Sequence, residues 1–523
     1  MSTELIYDVV VIGGGINGTG IAADAAGRGL SVLLCEQNDL GSATSSASSK
    51  LIHGGLRYLE YFDFGLVRES LQERRILLKS APHLVRPMRF VVPYNKLLRP
   101  FWIIRLGLFL YDLMGQARVF KRSKTIYFNT SDPYSPLNRT IRKGFIYSDC
   151  FGDDARLVLA NALRAERSGA EIAPRTRCLS AERHENEWRV LLENTITKQH
   201  YTIKANALIN ATGPWVEECI KSVFHMEPKH HIRLVKGSHI IVPKLYDREQ
   251  AYVLQHKDGR VVFVIPYLKQ FTLIGTTDVD FHGDPLNVKI DFQEKEYLCE
   301  LVSEYFHHPL KPQQILYSWS GVRPLIDEKA NALASLNRGY KLELNISAQE
   351  KLPLINVFGG KLTTYRILAE KALDMLTPFF SQAGSAWTAK RPLPGGDLPD
   401  SDLTAFLEKL AVDFQWLPSS LLMRYAHSYG TLTYSLLQGT KDISDLGEDL
   451  GHGLYEKEVI YLLQKEWART AEDILWRRSK LGLNFSAVEQ EKLKIWLEKN
   501  AHDYIEDAKQ IIPVALNNKR KSG

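Results

Sequence analysis

Asp8-Val-Val-Val-Ile-Gly-Gly-Gly-Ile-Asn-Gly18 carries a short apolar run, Val9 to Ile12, straight into Gly13-x-Gly15-x-x-Gly18. The Ala-rich stretch 21–28 then reads as a helix, residues 31–34 read as a second strand, and Glu36 closes the segment. A lone GxGxxG is weak evidence. A full strand, turn, helix, strand and acid in register is the signature of a dinucleotide-binding βαβ unit. Gly13 permits the tight turn, Gly15 lets backbone approach a pyrophosphate, and Gly18 lets helix and strand pack closely. The helix N-terminus offers unpaired N–H groups and a positive dipole end to the phosphates. Glu36 can accept hydrogen bonds from a ribose 2′-OH.

Working outward, 523 residues suit two or three domains with ample buried core. The formal net charge of +6 does not establish nucleic-acid binding, and none is expected, but it suits anionic substrates or an anionic membrane surface. Five cysteines, well separated and without a CxxC pair, predict a reducing compartment with no disulfide frame and no metal site. The first strand begins almost at once, which leaves no room for a signal peptide in this reading, and no run of apolar residues is long enough to span a bilayer. The tract 42–50, rich in Ser and Thr, reads alone as a flexible loop. Directly after a dinucleotide unit, its Thr44, Ser45 and Ser49 hydroxyls can line a phosphate or ring. Apolar residues at helical spacing predict helices over 66–78 and 157–169. Short β-branched runs at 240–243, 261–265 and 271–276 predict an antiparallel sheet. Pro392-Leu-Pro-Gly-Gly396 is a breaker cluster, and amphipathic charged patterns beyond it predict a helical C-terminal domain.

Eight motifs occur in order along the chain: the fingerprint itself, Ala43 to Tyr58, Tyr147-Ser-Asp-Cys150 with Asp153-Asp-Ala-Arg-Leu157, Asn210-Ala-Thr-Gly-Pro-Trp215, Lys236-Gly-Ser-His239, Ile274-Gly-Thr-Thr-Asp278, Ser320-Gly-Val-Arg-Pro324 and Phe358-Gly-Gly-Lys-Leu-Thr-Thr-Tyr365. Together they closely resemble the FAD-dependent aerobic glycerol-3-phosphate dehydrogenases of bacteria, over essentially the whole chain. Ser444-Asp-Leu-Gly-Glu-Asp449 and Leu475-Trp-Arg-Arg478 extend the resemblance into the tail. It implies an α/β fold of the D-amino-acid-oxidase type: a Rossmann-like FAD-binding domain, a substrate cap on an antiparallel sheet, and a C-terminal all-α domain. The expected division is an oxidoreductase region 1–390, with FAD-binding parts about 1–85, 145–230 and 318–390 and cap parts about 86–144 and 231–317, then a helical domain 391–523. A single dinucleotide fingerprint independently favours FAD as the sole bound cofactor.

The resemblance implies oxidation of sn-glycerol 3-phosphate to dihydroxyacetone phosphate, with hydride passing from C2 to non-covalent FAD and electrons passing to ubiquinone or menaquinone. Such chemistry needs C2 held near the flavin, the phosphate fixed and negative charge stabilised. Arginine suits a phosphate ester because its planar fork bonds bidentately. By resemblance, Arg57 and Tyr58 face the substrate, Arg323 polarises the C2 oxygen, and Arg338 binds phosphate. A glycine follows Arg338 where an acidic residue is more usual. His239 matches a substrate-side histidine and is a candidate proton acceptor. Lys361 adds positive charge near flavin or substrate. Gly360, Lys361, Leu362 and Thr363 precede a helix expected over 363–376, whose N-terminus favours negative charge on the flavin. Thr212 and Gly213 place backbone against FAD. Asp278 reads as structural. The alternative to each site reading is ordinary: a core histidine, an interface ion pair, a solvated lysine.

Residues 97–114 are the most apolar and aromatic stretch, followed by Arg118, Lys121, Arg122 and Lys124. The segment is too short and too charged to span a bilayer, but fits either an interfacial helix on anionic phospholipid or an element packed on the cap. The family implies a peripheral enzyme on the cytoplasmic face of the inner membrane and a homodimer. The competing functions are an oxidase that uses O₂, an amino-acid oxidase, and a non-catalytic flavin-bound sensor. Retention of Arg323 and Arg338 argues against the last.

Overall fold

The computed structural model describes residues 6–61, 63–95, 100–115, 119–129, 135–327, 339–346 and 351–505; the side chains of residues 57, 60 and 61 are outside that description. Its first sheet is built on strand Ile6–Ile12, whose Val9, Val10 and Val11 are fully buried. A strand buried on both faces reads as an unbroken apolar run, as a parallel strand covered from both sides must. Val32–Glu36 and His200–Asn210 flank it in parallel, with Ile12 opposite Cys35 and Val10 opposite Leu208. Glu171–Pro174 extends one edge, and Pro353–Gly359 then antiparallel Tyr340–Ile346 extend the other. Helices Ile16–Gly27, Asp154–Arg167 and Tyr365–Leu376 cover one face through alanines and leucines. Trp188, Val190, Leu192 and Ile220 close the other.

The second sheet holds Ile232–Pro243 between Phe271–Gly275 and Tyr317–Ile326, both antiparallel to it. It continues through Val261–Tyr267, Ala251–Gln255, Val85–Pro93 and Lys143–Gly152. Helix Phe292–Tyr305 packs on one face and helix Phe64–Ser80 on the other. The expected antiparallel sheet is therefore present, but the division drawn at 145 and 318 falls inside strands. Lys143–Gly152 and Tyr317–Ile326 both belong to the second sheet, because their ladders pair with Val85–Pro93 and Ile232–Pro243 along most of their length. Beyond residue 390, helices Leu403–Asp413, Ser419–Tyr429, Glu456–Lys465 and Ala487–Asn500 share a separate leucine- and tyrosine-rich core.

Helix Phe101–Met114 lies within the expected interfacial segment. Leu108 and Tyr111 are buried against the second sheet, whereas Trp102, Leu106, Phe109 and Leu113 are exposed. Spacings of four, three and four residues put those four on one stripe. Among the described residues, no helix is long and apolar enough to cross a membrane. All five cysteines are buried and free.

Candidate active site

A cavity of about 1870 Å³ runs between the two sheets. One end is the glycine turn. Gly13 adopts φ +111°, and a Cβ there would meet the Ala211 carbonyl oxygen at 2.6 Å. A Cβ on Gly18 would lie 1.9 Å from the Gly13 carbonyl oxygen, so no side chain fits where helix meets strand. Glu36 accepts from the Gly14 amide at 2.7 Å and the Asn38 amide at 2.8 Å. Burial raises its pKa, against the opposing pull of those two amides. Ser45 Oγ accepts from the Ile16 amide at 3.0 Å, which leaves its own proton to offer. Thr212 Oγ1 donates to Asn210 Oδ1 at 2.7 Å, bringing the Thr212-Gly213 backbone to the cavity wall. Glycines that admit no Cβ, a helix N-terminus and a carboxylate at the second strand's end form a cradle that fits a dinucleotide such as FAD. Thr44 lines the same cavity, and its hydroxyl donates to the Val322 carbonyl at 2.7 Å, which pins its loop to the second sheet.

At the other end the chemistry comes from side chains. Strands Ile232–Pro243 and Tyr317–Ile326 pair His239 with Trp319 and Val235 with Arg323. His239 is buried, its ring stacks on Trp319 with centroids 5.5 Å apart, and its Nε2 lies 2.8 Å from Ser49 Oγ. Its Nδ1 is buried without a hydrogen-bond partner. Burial foremost, then the Arg323 and Lys50 cations, hold its pKa well below the usual histidine value, so the ring is neutral. Arg323 donates to Asp278 Oδ1 at 2.6 Å and to Thr276 Oγ1 at 2.7 Å. Its guanidinium crosses Gly237, where a Cβ would meet Nη2 at 2.3 Å. Gly275 likewise leaves room for the His239 ring.

Lys361 also lines the cavity, its Nζ 4.0 Å from the centre of the Tyr58 ring. Gly360, Leu362 and Thr363 line it beside Lys361, and Thr363 Oγ1 accepts from the His53 amide at 3.3 Å. The following helix begins at Tyr365, two residues later than expected, with Thr364 as its cap. Arg57 sits by its backbone in the turn Leu56–Tyr61, but its side chain is outside the described residues, as is the whole of Arg338. The structure thus gathers His239, Arg323, Lys361 and Tyr58 around one space.

Sequence reading marked Asp278 as structural without its partner and did not single out Glu294. Asp278 is the carboxylate that aims Arg323. Glu294, on helix Phe292–Tyr305, accepts from Ser238 Oγ at 2.9 Å and Thr277 Oγ1 at 2.6 Å, tying the middle of strand Ile232–Pro243, which carries His239, to the connection after Phe271–Gly275 that carries Asp278. Gly237 and Gly275 stood inside quoted motifs, and their spacing to His239 and Asp278 was the available signal. Glu294 had none beyond its capping box with Asp291.

A family model described as FAD dependent oxidoreductase matches residues 8–366, and one described as the C-terminal domain of alpha-glycerophosphate oxidase matches residues 386–495. The chain is 54% identical to a glycerol-3-phosphate dehydrogenase of Pseudomonas aeruginosa, over 94% of this chain and 95% of that protein. It is 44% identical to a D-erythritol 1-phosphate dehydrogenase of Brucella abortus, over 94% of this chain and 97% of that one. A solved glycerol-3-phosphate dehydrogenase from Bacillus halodurans, complexed with FAD, superposes with a TM-score of 0.74 at 26% identity, covering 99% of this chain and 94% of that one.

Proposed function

The chain belongs to the FAD-dependent oxidoreductase family, and from that premise we propose that it oxidises sn-glycerol 3-phosphate to dihydroxyacetone phosphate and passes the electrons to a membrane quinone. One observation carries the reading: a single cavity joins a dinucleotide cradle to a cationic end containing Arg323, Lys361 and neutral His239. Similarity to the Pseudomonas aeruginosa protein supports the substrate.

When bound, FAD supplies the acceptor for the C2 hydride. Gly13, Gly15, Gly18, Glu36, Ser45, Thr212 and Gly213 would hold its dinucleotide part, and Gly360 to Thr363 its flavin. Lys361 and the N-terminus of helix Tyr365–Leu376 favour negative charge there. Arg323, aimed by Asp278 and Thr276, stabilises alkoxide character on the C2 oxygen; with a pKa above about 12 it does not act as the base. The hydroxyl proton goes to His239. That ring is a weak base at rest, but the hydroxyl turns strongly acidic as the hydride leaves, and a nearby phosphate dianion offsets the repulsion from Arg323. Arg57 and Arg338 complete the phosphate site.

The cavity wall includes Ile103, Ile104, Leu106 and Leu110 of the helix whose outer stripe is exposed. A stripe of that kind lies naturally in the headgroup boundary of an anionic membrane, with Lys121 and Arg122 on lipid phosphates. A quinone entering from the bilayer would meet the same wall. The enzyme is then peripheral on the cytoplasmic face and, by family, a homodimer.

Anaerobic mixing of the holoprotein with sn-glycerol 3-phosphate should bleach the visible flavin absorbance, and a quinone analogue should restore it. Recovery with O₂ alone would favour the oxidase reading suggested by the C-terminal family match. Bleaching by D-erythritol phosphate but not by glycerol 3-phosphate would transfer the substrate assignment to the longer polyol suggested by the Brucella abortus relative.

A further inference from the structure

The loop 39–50 separates two cavities. Ser42, Ala43, Thr44 and Ala47 line the large cavity on one side and a second cavity, of about 550 Å³, on the other. A partition one chain thick has little packing of its own to hold it, so its position depends on its anchors. On the second-sheet side the anchors are the Thr44 hydroxyl bond to Val322 and Ser49 on His239. Within the FAD-binding region the loop is also held by the Gly41 amide on the Gly14 carbonyl and by Ser45 on the Ile16 amide. At its two ends a stretch of the C-terminal domain adds charged anchors.

That stretch is the π-helical turn Asp473–Arg478 and the residues just after it. At the front of the loop, Asp39 is buried and takes Arg477 Nε at 2.5 Å and Arg478 Nη2 at 2.9 Å. At the rear, buried Asp154 accepts from the Ser48 amide at 3.2 Å, from Ser48 Oγ at 2.8 Å and from Lys50 Nζ at 2.8 Å. Lys480 reaches the same corner, 3.3 Å from Asp153 and 3.5 Å from Asp154. Between these, Trp476 stacks on Tyr317 at 4.1 Å and 12°, at the start of the strand that carries Arg323. Arg477 and Arg478 are separated from Asp39 by more than 430 residues, yet both are buried with it. π-Helical turns are rare and cluster at functional places because they trade regular bonding for side-chain placement.

We infer that Trp476 to Lys480 is a clamp from the C-terminal domain that positions the FAD loop, and that Arg477 and Lys480 are positioning residues for cofactor binding. They touch neither cofactor nor substrate. They act by holding both ends of the loop, so that Ser45 and Ser49 stay against the cavity. The inference rests on FAD occupying the cradle and not on the identity of the substrate.

The test measures the FAD dissociation constant of full-length protein by flavin fluorescence quenching, with no substrate present. Arg477→Gln and Lys480→Gln should each weaken FAD at least about tenfold, since each removes one of the cations that hold a buried carboxylate at one end of the loop. Lys480→Arg keeps the charge at a contact that is not bidentate and should restore affinity to within about threefold. Leu462→Ala, in the core of the same domain and away from the loop, supplies the control for general destabilisation. If Leu462→Ala loosens FAD as much as Lys480→Gln at a comparable fall in Tm, or if both glutamine variants retain wild-type affinity, the clamp is overturned. Should Arg477→Gln not fold, the Lys480→Gln and Lys480→Arg pair decides, and a loss that arginine does not rescue counts against the proposal.

Discussion

The two ends of the large cavity are made of different materials. The nucleotide end is backbone: glycines without room for a Cβ, exposed amides and a helix start, nearly all within residues 13–45. The substrate end is side chain: His239, Arg323, Lys361 and Tyr58 arrive from four separate segments, His239 held by Ser49, Arg323 by Asp278, and Lys361 and Tyr58 set against each other. Backbone sites are specified by what must be absent. Side-chain sites are specified by what must be aimed. The first should therefore fail all at once when crowded, and the second piece by piece.

The largest expected effect breaks the nucleotide end. Gly18→Val puts carbon into the Gly13 carbonyl, and bound flavin per protein, read from visible absorbance, should fall at least about tenfold without recovery in excess FAD. Next, Arg323→Ala should lower kcat/KM by about 10²- to 10³-fold while flavin content stays near wild type. If flavin is lost in proportion to turnover, the two ends are not separable. Arg338→Ala should mainly raise KM for the phosphate substrate, by about tenfold or more for one charged hydrogen bond, with kcat little changed. A pure fall in kcat would remove it from the phosphate site.

The ends should also answer pH in opposite directions. His239 has its pKa depressed by burial, so it contributes stability above the ordinary histidine value near 6.5, and that contribution is lost as pH falls below it. His83, outside the cavity, is pushed down to about 3 by burial and adds about 2 kcal/mol of the same trend by pH 5. Glu36 has its pKa raised, so its contribution is present below its ordinary value near 4.5 and is lost as pH rises. Thermal unfolding of apoprotein should therefore show Glu36→Gln raising Tm at pH 7, and His83→Asn flattening the decline of Tm between pH 7 and 5. The smallest effect on chemistry belongs to the outer helix. Trp102→Ser with Phe109→Ser should weaken liposome binding by about tenfold or more per residue, judged by the apolar area each exposes, while kcat/KM with a soluble acceptor is unchanged.

The βαβ unit was legible because its information is local. Val9 to Glu36 spells strand, turn, helix and strand within a span that backbone geometry alone constrains. The antiparallel sheet was legible in part, from β-branched runs, but the edges assigned to it were not. Tyr317–Ile326 joins the second sheet by pairing with Ile232–Pro243, a partner some eighty residues earlier, and no local pattern announces a distant ladder. Thr44 shows the same limit at one residue, since nothing near it in sequence announces that its hydroxyl also bonds the Val322 carbonyl.

By itself, then, the sequence determined that a dinucleotide cradle exists at Gly13 to Glu36, that a β-rich cap and a helical tail accompany it, and which polar residues were candidates. Only the tertiary structure decided that Asp278 aims Arg323, that Ser49 holds His239, and that Arg477 and Lys480 reach across more than three hundred residues to brace the FAD loop. The physical reason is range. Steric demands on a glycine turn are settled by near neighbours, whereas a buried charge is tolerable only beside a partner, and which partner arrives is set by how the whole chain packs.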